Sequence, residues 1–252
     1  MLSTFSSKMY AGVLLAAACG QAVYAAPVYW FNNPNNSIDA QDVTFSRGLS
    51  DKGAFGDPEL SGVQPNSLLF FPSDFLAESE NGTADTFTDR LAFKVTADPG
   101  KTIQKVRIRE TGDWLIDGQG SVQAFGYLEV TKLAGTPGNY KGKDILDVVY
   151  TDDQNNITYN SNVAPFNPVL DGNGSWTGIF EITLPAGVTS AQVVLNNILT
   201  ARTEGGSTAT IQKKFLGDPE EGPQFEVGVV VPEPMSMSWL FVGAIGLRRR
   251  RA

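Results

Sequence analysis

Residues 105–110 read KVRIRE, and the parity of those six letters decides the fold. Val106 and Ile108 share one parity, Arg107 and Arg109 the other. That period of two is what an antiparallel strand shows when one face is buried and the other is wet. A helix would group positions three and four apart, and no long stripe of that period occurs. KVRIRE closes a strand run TIQKVRIRE (102–110), and the same alternation, rich in β-branched and aromatic residues, recurs in LAFKVTA (91–97), SVQAFGYLEV (121–130), WTGIFEITL (176–184), SAQVVLNNILT (190–200) and FEVGVVV (225–231). Turn chemistry separates these runs: DPG at 98–100, DGQG at 117–120, TPGN at 136–139 and PAG at 185–187. Roughly eight to ten strands joined by short turns predict an all-β protein, an antiparallel β-sandwich of jelly-roll type. The polar stretches NNPNNSIDA (32–40) and DDQNNITYNSN (152–162) read as loops. GDPE stands at 56–59 and again at 217–220, but its flanks do not align, so it marks two similar turns and not a duplication.

Composition removes most common chemistries. Of 252 residues, one is Cys (Cys19) and none is His. No Ser-His-Asp triad, Cys or His zinc site, or disulfide framework can be assembled beyond residue 19. Carboxylate chemistry, a Ser–Lys pair and oxygen-only metal sites survive the test. The chain carries 19 basic and 27 acidic residues; Lys8 and Arg248 to Arg251 lie in the end segments, as does Glu233, which leaves 26–231 at a net −12. A body of that sign repels phosphate backbones, so no nucleic-acid partner is expected.

The candidate sites within the body are diffuse. Glu110, Asp113, Asp117, Glu129 and Glu181 lie in or near strands, and glycoside hydrolysis needs two carboxyls about 5–10 Å apart. Sequence cannot supply that distance, so no catalytic residues are assigned and no enzyme is expected. Trp30, Trp114 and Trp176 could stack on sugar rings, although aromatic core is their commoner use. Asp171, Asn173 and Ser175 in DGNGSW alternate like the start of a calcium loop. Trp176 then replaces the required Gly and Ile182 the bidentate Glu, which makes DGNGSW a plain turn. TDDQNN (151–156) is the better oxygen cluster, so structural Ca²⁺ is the cofactor left open and no other is expected. Asn81, Asn156 and Asn173 begin N-x-S/T triplets, which are ordinary turn sequences outside a glycosylating pathway.

The two ends carry addresses. Lys8, the apolar run Met9 to Ala18 and the small-residue step VYA form a secretory signal over 1–25 with cleavage after Ala25. Processing at Cys19 as a lipoprotein is the rival, but Ala16 stands where such boxes carry Leu. At the other end Pro232, Glu233 and Pro234 precede an apolar run, 235–247, and four arginines, Arg248, Arg249, Arg250 and Arg251. A helix of 13 residues reaches about 20 Å, short of a hydrocarbon core of about 30 Å. The four arginines act as a membrane stop and place the C-terminus in the cytoplasm, the body outside.

This order resembles the tail of the PEP-CTERM family of Gram-negative envelope proteins. The resemblance covers the last 21 residues and leaves the family of the body, 26–231, open. It implies an exosortase partner, a membrane transpeptidase-like enzyme, that reads Pro232–Glu233–Pro234 and cuts nearby. The chain would be an inner-membrane intermediate, then a cell-surface or matrix protein. The role expected there is structural or adhesive in exopolysaccharide or biofilm. A carbohydrate-binding module is the alternative, and a carboxylate glycosidase stands third. Protein recovered from an exosortase-bearing host is expected to begin at Ala26 and to end near residues 231–234. Intact mass checks this, and a species retaining Arg251 and Ala252 would make the tail a permanent anchor.

Overall fold

The computed structural model describes residues 26–232 except 73, 155, 161–171 and 214–224, and of 157–160 the backbone alone. The cleavage site Ala25, the residues Glu233 and Pro234, and the apolar run 235–247 lie outside the described residues. So do all four residues of the membrane stop, Arg248, Arg249, Arg250 and Arg251. Pro232 is described, exposed just beyond the last strand. Sixteen strands occur among the described residues, more than the sequence pattern suggests, because several are too short to show alternation. The first six are β1 (Val28–Tyr29), β2 (Ser37–Asp39), β3 (Val43–Ser50), β4 (Glu59–Leu60), β5 (Ser67–Leu69) and β6 (Leu76–Glu80). Three long strands follow, β7 (Ala84–Ala97), β8 (Lys105–Asp117) and β9 (Gly120–Gly135), then β10 (Lys141–Ile145), β11 (Asp147–Asp152) and β12 (Ile157–Asn160). The last four are β13 (Gly172–Thr183), β14 (Val188–Thr203), β15 (Thr208–Lys213) and β16 (Phe225–Val230). Three expectations are thereby corrected. The polar stretch 32–40 contains β2, paired with β3, and 152–162 contains β12, paired with β11, so neither is all loop; residues 172–175 open β13 and are not a turn, because they pair with β8 and, at 174–175, with β11.

The strands form two antiparallel sheets. The first runs β1-β3-β7-β14-β9-β10, with β2 beside β3; the second runs β12-β11-β13-β8-β16-β5-β4, with β15 between β8 and β6. The central order is β7-β14-β9-β10 in one sheet and β8-β13-β11-β12 in the other. Consecutive strands therefore change sheets at 97–105, 117–120, 145–147 and 183–188, so the ribbon β7–β8 runs beside β13–β14 and rolls up with it. This is the jelly-roll arrangement, with one departure: β10, a hairpin partner of β9, holds the outer position of the first sheet.

Parity builds the core. Val106, Ile108, Trp114 and Ile116 of β8 face Val193, Leu195, Leu199 and Ala201 of β14 in one buried apolar cluster. An aromatic chain crosses one end, in which Phe55, Phe70 and Phe225 meet with centroids 5.1–6.5 Å apart. Each buried aromatic of this kind contributes about 1.5–3 kcal/mol relative to exposure. On β8 a residue with no Cβ is required at Gly112. A methyl there would stand 1.9 Å from the Gln212 carbonyl and 2.5 Å from the Trp176 indole nitrogen. The indole lies across that gap and donates to Gln212 O at 3.2 Å.

The free edge of β8 is shared by two strands. β16 pairs with 105–110 and β15 with 112–117, end to end. A buried ion pair occupies the junction. Lys213 Nζ donates to Glu110 Oε2 at 2.7 Å, with the two side chains 1% and 0% exposed. Asn197 of the opposite sheet donates its Nδ2 to Glu110 Oε1. Lys213 Nζ also lies 4.7 Å from the ring centres of Phe75 and Phe225 and 5.1 Å from that of Phe55. Asp89, beside Asn197 on β7, adds a second negative charge at a distance. Burial nevertheless pushes the Lys213 ammonium below the usual lysine range, because lost hydration outweighs the attraction of Glu110. Removing one member of a buried pair strands the other. Lys213→Met is expected to cost at least about 3–5 kcal/mol in urea unfolding.

Candidate functional site

The outer face of the second sheet gathers polar groups that are far apart in sequence. The β13–β8 register sets Ser175 against Asp113 and Asn173 against Leu115. On the other side of β8, β15 sets Gln212 against Asp113 and Thr210 against Leu115. β11 adds Thr151 opposite Ser175 and Asp152 opposite Gly174. TDDQNN and the residues after Asp171 in DGNGSW, two separate oxygen-rich motifs in the sequence, thus become neighbours. Together these strands floor an open trough of about 550 Å³ that Asp113, Asp152, Asp153, Asn173 and Gln212 help to line.

Its shape is set from below. Trp114 is 3% exposed and points into the core, and its indole N–H donates to Thr151 O at 3.1 Å and Ser175 O at 3.2 Å. The hydroxyls of Thr151 and Ser175 meet above at 2.8 Å. Gly174 lets β11 come close, because a methyl there would stand 1.9 Å from Thr151 O. The Asp152 carboxylate closes an Asx turn, accepting from Asn156 Nδ2 at 2.9 Å and from the N–H groups of Asn156 and Gln154 at 2.7 and 3.0 Å. Those hydrogen bonds, Asn156 foremost, hold its carboxyl below the ordinary aspartate range. A second groove of about 560 Å³ continues along the same sheet, lined by Arg107, Arg109, Thr177, Ile179 and Glu226. Neither arginine forms an ion pair among the described residues. One face therefore offers amides, hydroxyls and carboxylates at one end and two guanidinium groups at the other.

The carboxylates singled out from sequence scatter. Glu110 is inside; Glu129 stands on the outer face of the first sheet with Lys141 at 2.9 Å; Glu181 pairs with Lys105 at 2.7 Å. Asp113 lines the trough and Asp117 ends β8, exposed. Trp30, Trp114 and Trp176 are all core and form no exposed platform. Among the described residues no three Asp or Glu side chains converge on a metal position; Asp171 lies outside them. Asn81, Asn156 and Asn173 are exposed. Sequence reasoning passed over Lys213, Asn197, Thr210 and Gln212. The first two carried a signal, since each is a polar residue at a parity otherwise apolar.

No family model matches the chain, and no curated protein matches it. Among solved structures, the enzymatically active domain of tailspike protein 4 of bacteriophage CBA120 is similar over 66% of this chain and 19% of that one, at 11% identity and a TM-score of 0.16. A score that low carries no argument about fold or activity.

Trp114→Phe keeps one six-membered aromatic ring and removes the pyrrole ring that carries the donor beneath the trough. It is expected to cost about 1–3 kcal/mol in urea unfolding, with faster amide exchange confined to residues 151–153 and 173–175. A loss spread evenly over both sheets would contradict the local role given to the indole N–H.

Proposed function

We propose that this chain is an exported structural or adhesive protein of the cell envelope or exopolysaccharide matrix, with the outer face of its second sheet as the contact surface. One observation carries the reading: two open grooves of about 550 and 560 Å³ lie along one sheet and are lined by side chains held on paired strands. A polysaccharide offers repeated hydroxyls along an extended chain. Fixed amides, carboxylates and hydroxyls meet that chemistry without an ordering cost, and half-exposed Leu115 supplies an apolar step between them. The separation of Glu110, buried between the sheets, from Glu129 and Glu181, each paired with a lysine, favours binding over glycoside hydrolysis. The net −12 body favours a neutral polysaccharide over an acidic one.

In this account an exosortase reads Pro232–Glu233–Pro234, and residues 235–247 hold the chain briefly in the inner membrane. Arg248, Arg249, Arg250 and Arg251 stop it there. The carbohydrate-binding alternative uses the same trough with one defined glycan. Both are tested by melting the exported protein against a panel of neutral polysaccharides, together with co-sedimentation on insoluble ones. A saturable rise in Tm is expected, with affinity at least about tenfold weaker in Asn173→Ala/Gln212→Ala. Absence of both binding and co-sedimentation would remove the trough as a contact surface. Polysaccharide cleavage abolished by Asp113→Asn would make the protein an enzyme instead.

A further inference from the structure

Three groups at the centre of the molecule stand in a reactive order. Lys213 Nζ and Asn197 Nδ2 bind the two oxygens of a single carboxylate, that of Glu110. An amine and a carboxamide, one from each sheet, are thereby tethered within the width of one acid. Asn197 is fully buried, and its Oδ1 has no hydrogen-bond partner. Buried carbonyl oxygens are almost always satisfied, so this one asks for an explanation. The rings of Phe55, Phe75 and Phe225 surround the amine, whose side chain is 1% exposed.

We propose that Lys213 and Asn197 form an intramolecular isopeptide crosslink between Nζ and Cγ, with Glu110 as its catalytic acid–base and ammonia as the leaving group.

The steps use only these residues. Lys213 passes one proton to Glu110 across their hydrogen bond, and the neutral pair is the form a dry interior favours. The depressed lysine described above works in the same direction. The protonated Glu110 carboxyl turns to bring its Oε2 hydroxyl toward Asn197 and its bare Oε1 toward Nζ, and the Asn197 amide turns about its terminal bond so that Oδ1 in place of Nδ2 meets that proton. The orphan oxygen gains its donor, and Cγ becomes electrophilic. The Nζ lone pair forms the bond to Cγ. One proton moves from Nζ to Nδ2, relayed by Glu110, and the Cγ–Nδ2 bond breaks. An ammonium, a carboxylate and a primary amide become a secondary amide, a carboxylic acid and ammonia; nothing is oxidised or reduced. Glu110 remains protonated and donates to the new carbonyl. The tether supplies the approach that a bimolecular aminolysis lacks, and the phenyl rings keep water from reversing it.

The product would bond β14 of the first sheet to β15 of the second. A chain with no Cys after residue 19 has no disulfide available for that purpose outside the cell.

Denaturing intact mass of the folded, full-length protein tests this, followed by proteolysis and sequencing of the fragments. The mass is expected to fall about 17 Da below that of the chain's own termini, one ammonia, with Asn197 and Lys213 in one branched peptide. Lys213→Arg, Asn197→Ala and Glu110→Gln are each expected at full mass, with circular dichroism reporting their folds. Folded wild-type protein at full mass, with Asn197 and Lys213 in separate peptides, overturns the crosslink whatever the variants do. A branched peptide in Glu110→Gln at the wild-type yield overturns the role of Glu110. A deficit of the same size without the branched peptide is loss of ammonia elsewhere and counts against the proposal.

Discussion

The Lys213–Glu110–Asn197 contact is the constraint around which the sandwich is arranged. A charge pair placed between two apolar sheets would be a liability if any member lacked its partner. Each residue comes from a different strand, so β8, β14 and β15 must all be in register before the group closes. The contact also lies where β15 ends and β16 begins along β8, the one place where that strand changes neighbours. A second polar link crosses the layers at Tyr150, whose hydroxyl accepts from the Ala124 N–H at 2.5 Å. Apolar burial supplies the bulk of the stability, and these links specify how one sheet sits on the other.

The outer face inherits its order from that interior. Asp113 and Gln212 line the trough because Gly112 and Lys213, their neighbours in the chain, are paired on the inner side. Trp176 spans the gap at Gly112 to reach Gln212, and Trp114 reaches out to the carbonyls of Thr151 and Ser175. Two indoles that could have served as a sugar platform instead brace the strands carrying the polar groups. A surface braced in this way meets a ligand already ordered, which is what the binding role proposed for it requires.

Much of the architecture was legible in the alternation. KVRIRE placed Val106 and Ile108 inside, Arg107 and Arg109 outside, and the strands read at 91–97, 121–130, 176–184, 190–200 and 225–231 all lie where expected, most of them longer. The turns were legible as turns, but their partners were not. DGQG joins β8 to β9 in the other sheet, whereas TPGN closes a true hairpin between β9 and β10. Asp-Gly and Pro-Gly steps reverse or bend a chain without saying which layer it enters. β12 and the start of β13 were hidden because polar residues on paired strands look like loop. The polar centre was the readable part that went unread. Glu110, Asn197 and Lys213 each continue an inward parity, after Ile108, Leu195 and Ile211, and a polar residue in that position must find its partner across the core. The trough was not readable, since it depends on four strands brought together by long-range pairing.

The most direct test of the central claim is amide hydrogen exchange on the full chain and on Lys213→Met. If the centre couples the layers, the substitution lowers protection together in β8 and β15 of one sheet and in β7 and β14 of the other. Protection lost from β15 alone, with β14 unchanged, would show that the sheets are held by apolar contact and that the contact at Lys213 is local.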